Sequence, residues 1–213
     1  HLSYPAKLTQ LLYHRFRTFN SDPAKGFIIL PCELVFGNGH LLEQCVHQYI
    51  NLWATEIGSD FDDFSHWVQQ SCYFCTTLVD RIVPGYPKKN AESLQARLPQ
   101  HDPLLVQAEP YHLWVIEAAK NLSLEQLEKE FPADKAGLHV VLTHDESPYH
   151  ERKVTLLNGP HTVLSPVAFL AGLNIVRDAC QHEVIGPFVR RVMFDELLPT
   201  LNLPEDELRQ FGN

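Results

Sequence analysis

Three polar side chains of complementary chemistry lie close together in the sequence. They are Lys153, Asn158 and His161, in the run Glu-Arg-Lys-Val-Thr-Leu-Leu-Asn-Gly-Pro-His-Thr from Glu151 to Thr162. An amine and an imidazole can exchange protons, and a carboxamide can donate to or accept from a neighbouring oxygen. On an α-helix Lys153 and Asn158 stand roughly 140° apart, while Asn158 and His161 share one face. The three converge on one cleft if the helix survives Pro160, which has no N–H and crowds the carbonyl four residues back. A break there would instead make Asn158 and Gly159 the entry to a second helix starting at Pro160. Either geometry can gather the three groups. The plain alternative is an exposed lysine, a capping asparagine and a packed histidine, and spacing alone does not separate it from a site.

Other residues invite chemistry less strongly. Glu109 precedes an aromatic run and is a candidate wall of a substrate cleft. Cys72-x-x-Cys75 has no second pair, and Tyr73 and Phe74 between the thiols point to packing rather than to a metal or redox site. Twelve histidines are present, but none has the His-x3-His or His-Glu-x-x-His spacing of a helical zinc site, so no metal is expected. Asp80 and Arg81 read as residues that close the end of a sheet. No Gly-x-Ser-x-Gly elbow occurs, and hydrolase chemistry is unsupported.

The elements that must hold these residues follow from periodicity. Leu8, Leu11, Leu12, Phe16 and Phe19 have helical spacing, and Asn20-Ser21-Asp22-Pro23 ends that helix. Gly26 to Leu30 is continuously apolar, which suits a strand covered on both faces. Asn38 can cap a following helix whose face runs Leu41, Leu42, Cys45, Val46, Tyr49, Ile50 and Trp53. Helix, buried strand, helix is a fragment of an α/β unit with a parallel sheet. A short helix is expected over 60–70. Residues 78–83, 111–117 and 138–143 read as strands, with a surface helix from Ser123 to Phe131 that opens on a Ser-x-x-Gln capping box. These strands are too close for a helical crossover at every step, so part of their sheet is expected to be antiparallel. Beyond Pro148 the pattern is helical. Val163 to Cys180 is apolar nearly all round, as in an interior helix, and Pro204-Glu-Asp-Glu opens one more.

Composition narrows the function. A formal charge of −9, from 17 basic and 26 acidic residues, makes the chain a poor partner for nucleic acid or anionic membranes. No apolar run is long enough for a bilayer span, and the five cysteines sit mostly among apolar neighbours, as in a reducing compartment. The expectation is a soluble, cytoplasmic protein. The sequence leaves its oligomeric state open.

The run Lys153-x4-Asn158-x2-His161 in its setting resembles the signature of the mannitol dehydrogenase family of long-chain polyol and sugar-acid dehydrogenases. Leu30-Pro-Cys-Glu-Leu34 followed by Asn38-Gly39, Thr77-Leu-Val-Asp-Arg-Ile-Val-Pro-Gly-Tyr-Pro87 and Ser3-Tyr-Pro-Ala-Lys-Leu-Thr9 are similar to the family's uronate branch. The resemblance runs in order along nearly the whole chain. It implies the C-terminal part of a Rossmann-type coenzyme domain with an antiparallel β extension over residues 1–150. The first helices of an all-α substrate domain would follow over 151–213. The implied reaction is NAD-dependent reduction of the keto sugar acid tagaturonate to altronate in hexuronate breakdown, with NADP not excluded as coenzyme. Lys153 would be the general acid or base, which requires an amine able to release its proton at working pH. Asn158 would donate to the developing oxyanion, and His161 would orient substrate hydroxyls.

The departures from the family pattern bear on the same site. Many relatives carry an asparagine where this chain has Thr76, so Thr76 stands as a shorter oxyanion or substrate donor. Leu34 replaces a common asparagine, leaving Glu33, with Asn38, as a coenzyme-side candidate. Pro160 replaces a small residue. No Gly-x-Gly-x-x-Gly occurs, and the expectation is a portion of a longer enzyme, inactive by itself. The alternatives are a mannitol- or fructuronate-type dehydrogenase, or an interaction module that kept the fold without the coenzyme loop.

Overall fold

The computed structural model describes residues 3–133 and 135–212. Two units divide the chain, His1–His144 and Asp145–Asn213. In the first, helix α1 (Tyr4–Thr18) opens where the Ser3 hydroxyl accepts from the Ala6 N–H and Pro5 sits in the first turn. It closes as the Ser21 N–H bonds the Phe16 carbonyl at 2.9 Å. Asn20 and Ser21 take positive φ there, 49° and 58°, so the break expected at this segment is a left-handed helix cap.

Strand β1 (Ile28–Ile29) follows, then helix α2 (Asn38–Leu52), a short α3 (Ala54–Ile57), α4 (Phe61–Ser71) and β2 (Tyr73–Phe74). β1 and β2 pair in parallel, Ile28 with Tyr73 and Ile29 with Phe74. Their side chains alternate between two cores. Ile29 and Phe74 pack with Leu8, Leu12 and Phe16 of α1, Leu42, Val46 and Ile50 of α2, and Phe64, Trp67 and Val68 of α4. Ile28, Leu30 and Tyr73 pack on the other side with Ile116, Leu122 and Leu127. That two-sided cover is what the unbroken apolar run requires.

Strand β3 (Thr76–Asp80) then turns away from the parallel pair. After α5 (Ala91–Gln95), strand β4 (Leu113–Glu117) pairs with it antiparallel, Thr76 opposite Glu117 and Asp80 opposite Leu113. Helix α6 (Leu124–Glu130), capped by the Ser123 hydroxyl accepting from the Gln126 N–H at 3.1 Å, crosses over to β5 (Val140–Thr143), which pairs with β4 in parallel. β3 is therefore an edge strand of the order β3-β4-β5.

The second unit is helical: α7 (Ser147–Lys153), a π-helical turn (Val154–Asn158), α8 (Gly159–Leu170), α9 (Val176–Gln181), α10 (Ile185–Arg191), a second π turn (Val192–Leu197) and α11 (Glu205–Gly212). Leu164, Ala168, Ala179, Ile185 and Val189 form one small core, and Leu156, Phe194, Leu198 and Leu208 another. The single interior helix expected from Val163 to Cys180 is not found. α8 ends at Leu170 because Gly172, at φ 78°, turns the chain. The Leu173 N–H then reaches back to the Ala168 carbonyl at 2.9 Å. Burial also departs from expectation: Phe169 and Leu170 are 74% and 85% exposed, so the apolar composition on that side is not matched by packing within this unit. No helix among the described residues is long and apolar enough to cross a membrane.

Phe64 is the anchor of the first core, fully buried with ring centroids 5.1 Å from Tyr13 and 5.4 Å from Phe16. Phe64→Ala should cost about 3–5 kcal/mol of stability. Urea unfolding reads this, and a change under about 1 kcal/mol would show that the site collapses around the cavity.

Candidate functional site

Lys153, Asn158 and His161 lie on one continuous helical path. Pro160 does not break it: Asn158 (φ −72°, ψ −38°) and Gly159 (φ −55°, ψ −57°) are both helical. Relief comes from the hydrogen-bond register, since the Gly159 N–H bonds the carbonyl of Val154, five residues back rather than four. That π turn widens the helix just before the proline ring, which has no N–H to place and would collide with a carbonyl in the α register. It also alters the angular relation of the side chains. It brings residues five apart nearer to one another around the axis than the roughly 140° of an α-helix, without aligning them.

The three side chains differ in cover. Lys153 is only 7% exposed and falls in line with the buried positions Leu156, Pro160, Leu164 and Ala168. Asn158 and His161 are exposed, three residues apart on the open side. The His161 Nδ1 lies 2.8 Å from the Leu157 carbonyl oxygen, which can only accept. Nδ1 therefore carries the proton of that bond, and in the neutral ring Nε2 is left as an acceptor for a hydroxyl. The Thr162 and Ser165 hydroxyls bond the carbonyls of Asn158 and His161, at 2.9 and 2.7 Å, holding the turn after the site. Neither the π turn nor the burial of Lys153 is written in the residue spacing.

In the first unit Thr76, at the start of β3, is 4% exposed, and its hydroxyl oxygen is buried with no hydrogen-bond partner among the described residues. An unpaired buried hydroxyl costs about 1–3 kcal/mol, so it calls for a partner supplied from elsewhere. Glu33 lies exposed in the segment 32–36 that follows β1.

Asn38 differs from expectation. Gly37, left-handed at φ 66°, is the residue before α2, and Asn38 is the first helical position and makes no cap. Its carboxamide is instead spent on main chain. Oδ1 accepts from the Thr77 N–H at 2.9 Å, while Nδ2 donates to the carbonyls of Thr77, Glu33 and Pro31 at 2.9, 3.0 and 3.2 Å. Two hydrogens shared among three carbonyls leave no free donor for a coenzyme.

Glu109 is likewise committed. One carboxylate oxygen accepts from the Ile82 N–H at 2.7 Å, and its main chain bonds the Ile82 carbonyl and the Arg81 guanidinium. The pair stitches the exit of β3 to the segment before β4.

Cys72 and Cys75 are buried, and burial pushes the Cys72 thiol up to about 11 and raises Cys75 as well. Neither thiol is poised as a nucleophile. No group of three His, Cys, Asp or Glu among the described residues could hold a metal ion.

Residues 2–129 match the family model for the mannitol dehydrogenase Rossmann domain, and residues 145–213 match that for the mannitol dehydrogenase C-terminal domain. The chain belongs to the mannitol dehydrogenase family, with a Rossmann-like α/β part followed by a helical one. Curated relatives include the altronate oxidoreductases of Bacteroides thetaiotaomicron and Phocaeicola vulgatus, 60% and 59% identical over 210 residues, which is 99% of this chain and 42% of each relative. The altronate oxidoreductase of Bacillus subtilis is 41% identical over 217 residues, covering 99% of this chain and 43% of the relative. The chain thus spans less than half the length of these relatives. Two solved structures share the fold at 22% identity. A substrate-free D-sorbitol dehydrogenase has a TM-score of 0.67, over 96% of this chain and 40% of that one. The Pseudomonas fluorescens mannitol 2-dehydrogenase, in ternary complex with NAD and D-mannitol, has a TM-score of 0.55, over 88% and 37%.

The buried thiols give a direct check. Iodoacetamide at pH 8 should leave Cys72 and Cys75 unmodified in the native protein and alkylate both after denaturation, read by peptide mass spectrometry. Rapid native labelling of Cys72 would contradict the packing described.

Proposed function

We propose that the full-length protein is an NAD-dependent oxidoreductase that interconverts tagaturonate and altronate. The observation that carries this reading is the identity of about three in five residues with altronate oxidoreductases over 99% of the chain. Lys153, Asn158 and His161 lie within that matched span. Their chemistry fits the reaction without a metal.

In the oxidative direction the substrate alcohol must lose a hydride from carbon and a proton from oxygen. Lys153 takes the proton on its amine and returns it in the reverse direction. Its cover keeps bulk water from competing for that transfer. Asn158 donates its amide N–H to the same oxygen as negative charge builds there. His161, with Nδ1 held by the Leu157 carbonyl, offers Nε2 to a neighbouring substrate hydroxyl and so fixes the sugar's orientation. In the first unit Thr76 supplies a hydroxyl donor for an oxyanion or a polar coenzyme group, and Glu109 keeps one carboxylate oxygen for a substrate hydroxyl.

The first unit fits a nicotinamide coenzyme at the orphaned Thr76 hydroxyl and at the open segment 32–36 that carries Glu33. Both lie at the carboxyl ends of paired parallel strands, where open α/β sheets bind ligands. When bound, that coenzyme supplies the hydride chemistry. The acidic charge and the reducing-compartment pattern of cysteines support a cytoplasmic site of action, with a sugar acid rather than nucleic acid as partner. The solved neighbours favour a second reading, a polyol dehydrogenase acting on mannitol or a similar alcohol.

The test is NADH formation by the full-length enzyme with altronate and, separately, with mannitol. Faster turnover of altronate is expected, and turnover of mannitol alone would give the function to the second reading. In the same enzyme Lys153→Ala should lower turnover by orders of magnitude with NADH affinity nearly unchanged, and equal loss of both would assign Lys153 to folding. Asn158→Ala should cost about 10²–10³ in rate, and a near-wild-type rate would remove its amide from the reaction.

A further inference from the structure

We infer that Asn38 is a positioning residue for Thr76: it holds the start of β3 so that the unpartnered Thr76 hydroxyl is presented to a ligand at the carboxyl end of the parallel β1–β2 pair. This inference rests on the oxidoreductase reading above and extends it to a residue with no ligand contact of its own.

The argument begins with an edge. β3 pairs with β4 on one side only, so the outward N–H and C=O of Thr77 have no strand neighbour. Buried main-chain groups need partners. The Asn38 carboxamide supplies both, accepting from the Thr77 N–H and donating to the Thr77 carbonyl, each at 2.9 Å, as a neighbouring strand would. The same amide reaches the carbonyls of Pro31 and Glu33, and the Thr77 hydroxyl also bonds Pro31. One side chain, 3% exposed, therefore ties the segment leaving β1 to the segment leaving β2.

Gly39 adds a second constraint. A Cβ there would stand 2.3 Å from the Cys75 carbonyl oxygen and 2.9 Å from the Thr76 nitrogen, so only glycine lets the start of α2 lie this close to the Cys75–Thr76 peptide. Thr76 is thus flanked by a peptide in contact with Gly39 and a residue gripped by Asn38. The Asn38 carboxamide and the Thr77 main chain are paired within the fold, yet the Thr76 hydroxyl is not. A rigid surround for one unpaired donor is the arrangement expected of a preorganised contact to a reacting group. Asn38 spends all its donor capacity on this support, which separates its role from coenzyme binding.

A double-mutant cycle in the full-length enzyme tests this. Thr76→Val removes the hydroxyl at constant shape, and Asn38→Asp keeps the acceptor for the Thr77 N–H while losing the donors. Each single variant should lower kcat for altronate oxidation about 10- to 100-fold while shifting the NADH dissociation constant, read by fluorescence quenching, less than about threefold. The double variant should be no slower than the worse single within about threefold, because both remove one contact. Multiplicative losses in kcat would make Asn38 a general stability residue and overturn the inference. So would a parallel weakening of NADH binding, which would mark direct coenzyme contact. If Asn38→Asp does not fold, Asn38→Ser takes its place in the cycle, and the same non-additivity with Thr76→Val is expected and the same additivity fatal. A wild-type enzyme without altronate or tagaturonate turnover would sink the functional reading and this inference with it; an active wild type with multiplicative losses sinks the inference alone.

Discussion

A proline that cannot donate a hydrogen bond sits in the middle of the helix that carries Lys153, Asn158 and His161, and the chain accommodates it by moving one turn to a five-residue register. The alternative, a break at Gly159, would have put Lys153 and Asn158 on two separately oriented helices. The π turn keeps one rigid path from Ser147 to Leu170, with both residues held by the same hydrogen-bond ladder. π turns are uncommon because their widened bore packs poorly along the axis, and they are retained mostly where a side chain has to be re-aimed. Here the re-aimed pair is an amine under cover and an amide left open, a division that suits a proton carrier and an oxyanion donor.

The first unit meets its own constraint by different means. A parallel pair only two residues long gives little pairing energy, so its ends are held by side chains rather than by ladder. Asn38 stands in for a missing strand, Thr77 ties back to Pro31, and Gly39 lets the helix approach the strand backbone. The apolar layers on both faces fix where the pair lies, and the buried polar contacts fix how its carboxyl ends are presented. In both units a local departure from regular structure lies beside a candidate site residue.

Much of the framework could be read from the sequence because it depends on neighbours in the chain. Leu8, Leu12 and Phe16 declare α1 by their spacing, Gly26 to Leu30 declares a strand covered on both faces, and Ser123 with Gln126 marks the start of α6. The failures are of another kind. The apolar stretch from Val163 to Cys180 reads as one helix, since periodicity does not register the left-handed turn that Gly172 makes. The grip of Asn38 on Thr77 spans 39 positions, and Asn-Gly in a sequence suggests a turn or a cap instead. The unpaired Thr76 hydroxyl and the cover over Lys153 are properties of packing, which no spacing records. The roles proposed for the three polar residues rest on family likeness, and the structure adds their helical register and exposure.

The claim on which the functional account turns is that the Lys153 amine carries the proton. Chemical rescue addresses it most directly: the full-length Lys153→Ala enzyme is assayed for altronate oxidation with added primary amines of graded basicity. The account predicts a rate that rises with amine concentration, saturates, and increases with amine basicity among amines of similar size, while wild-type enzyme is unaffected. A folded Lys153→Ala enzyme that binds NADH normally yet gains nothing from small amines, even ones that fit the space the side chain leaves, would contradict it.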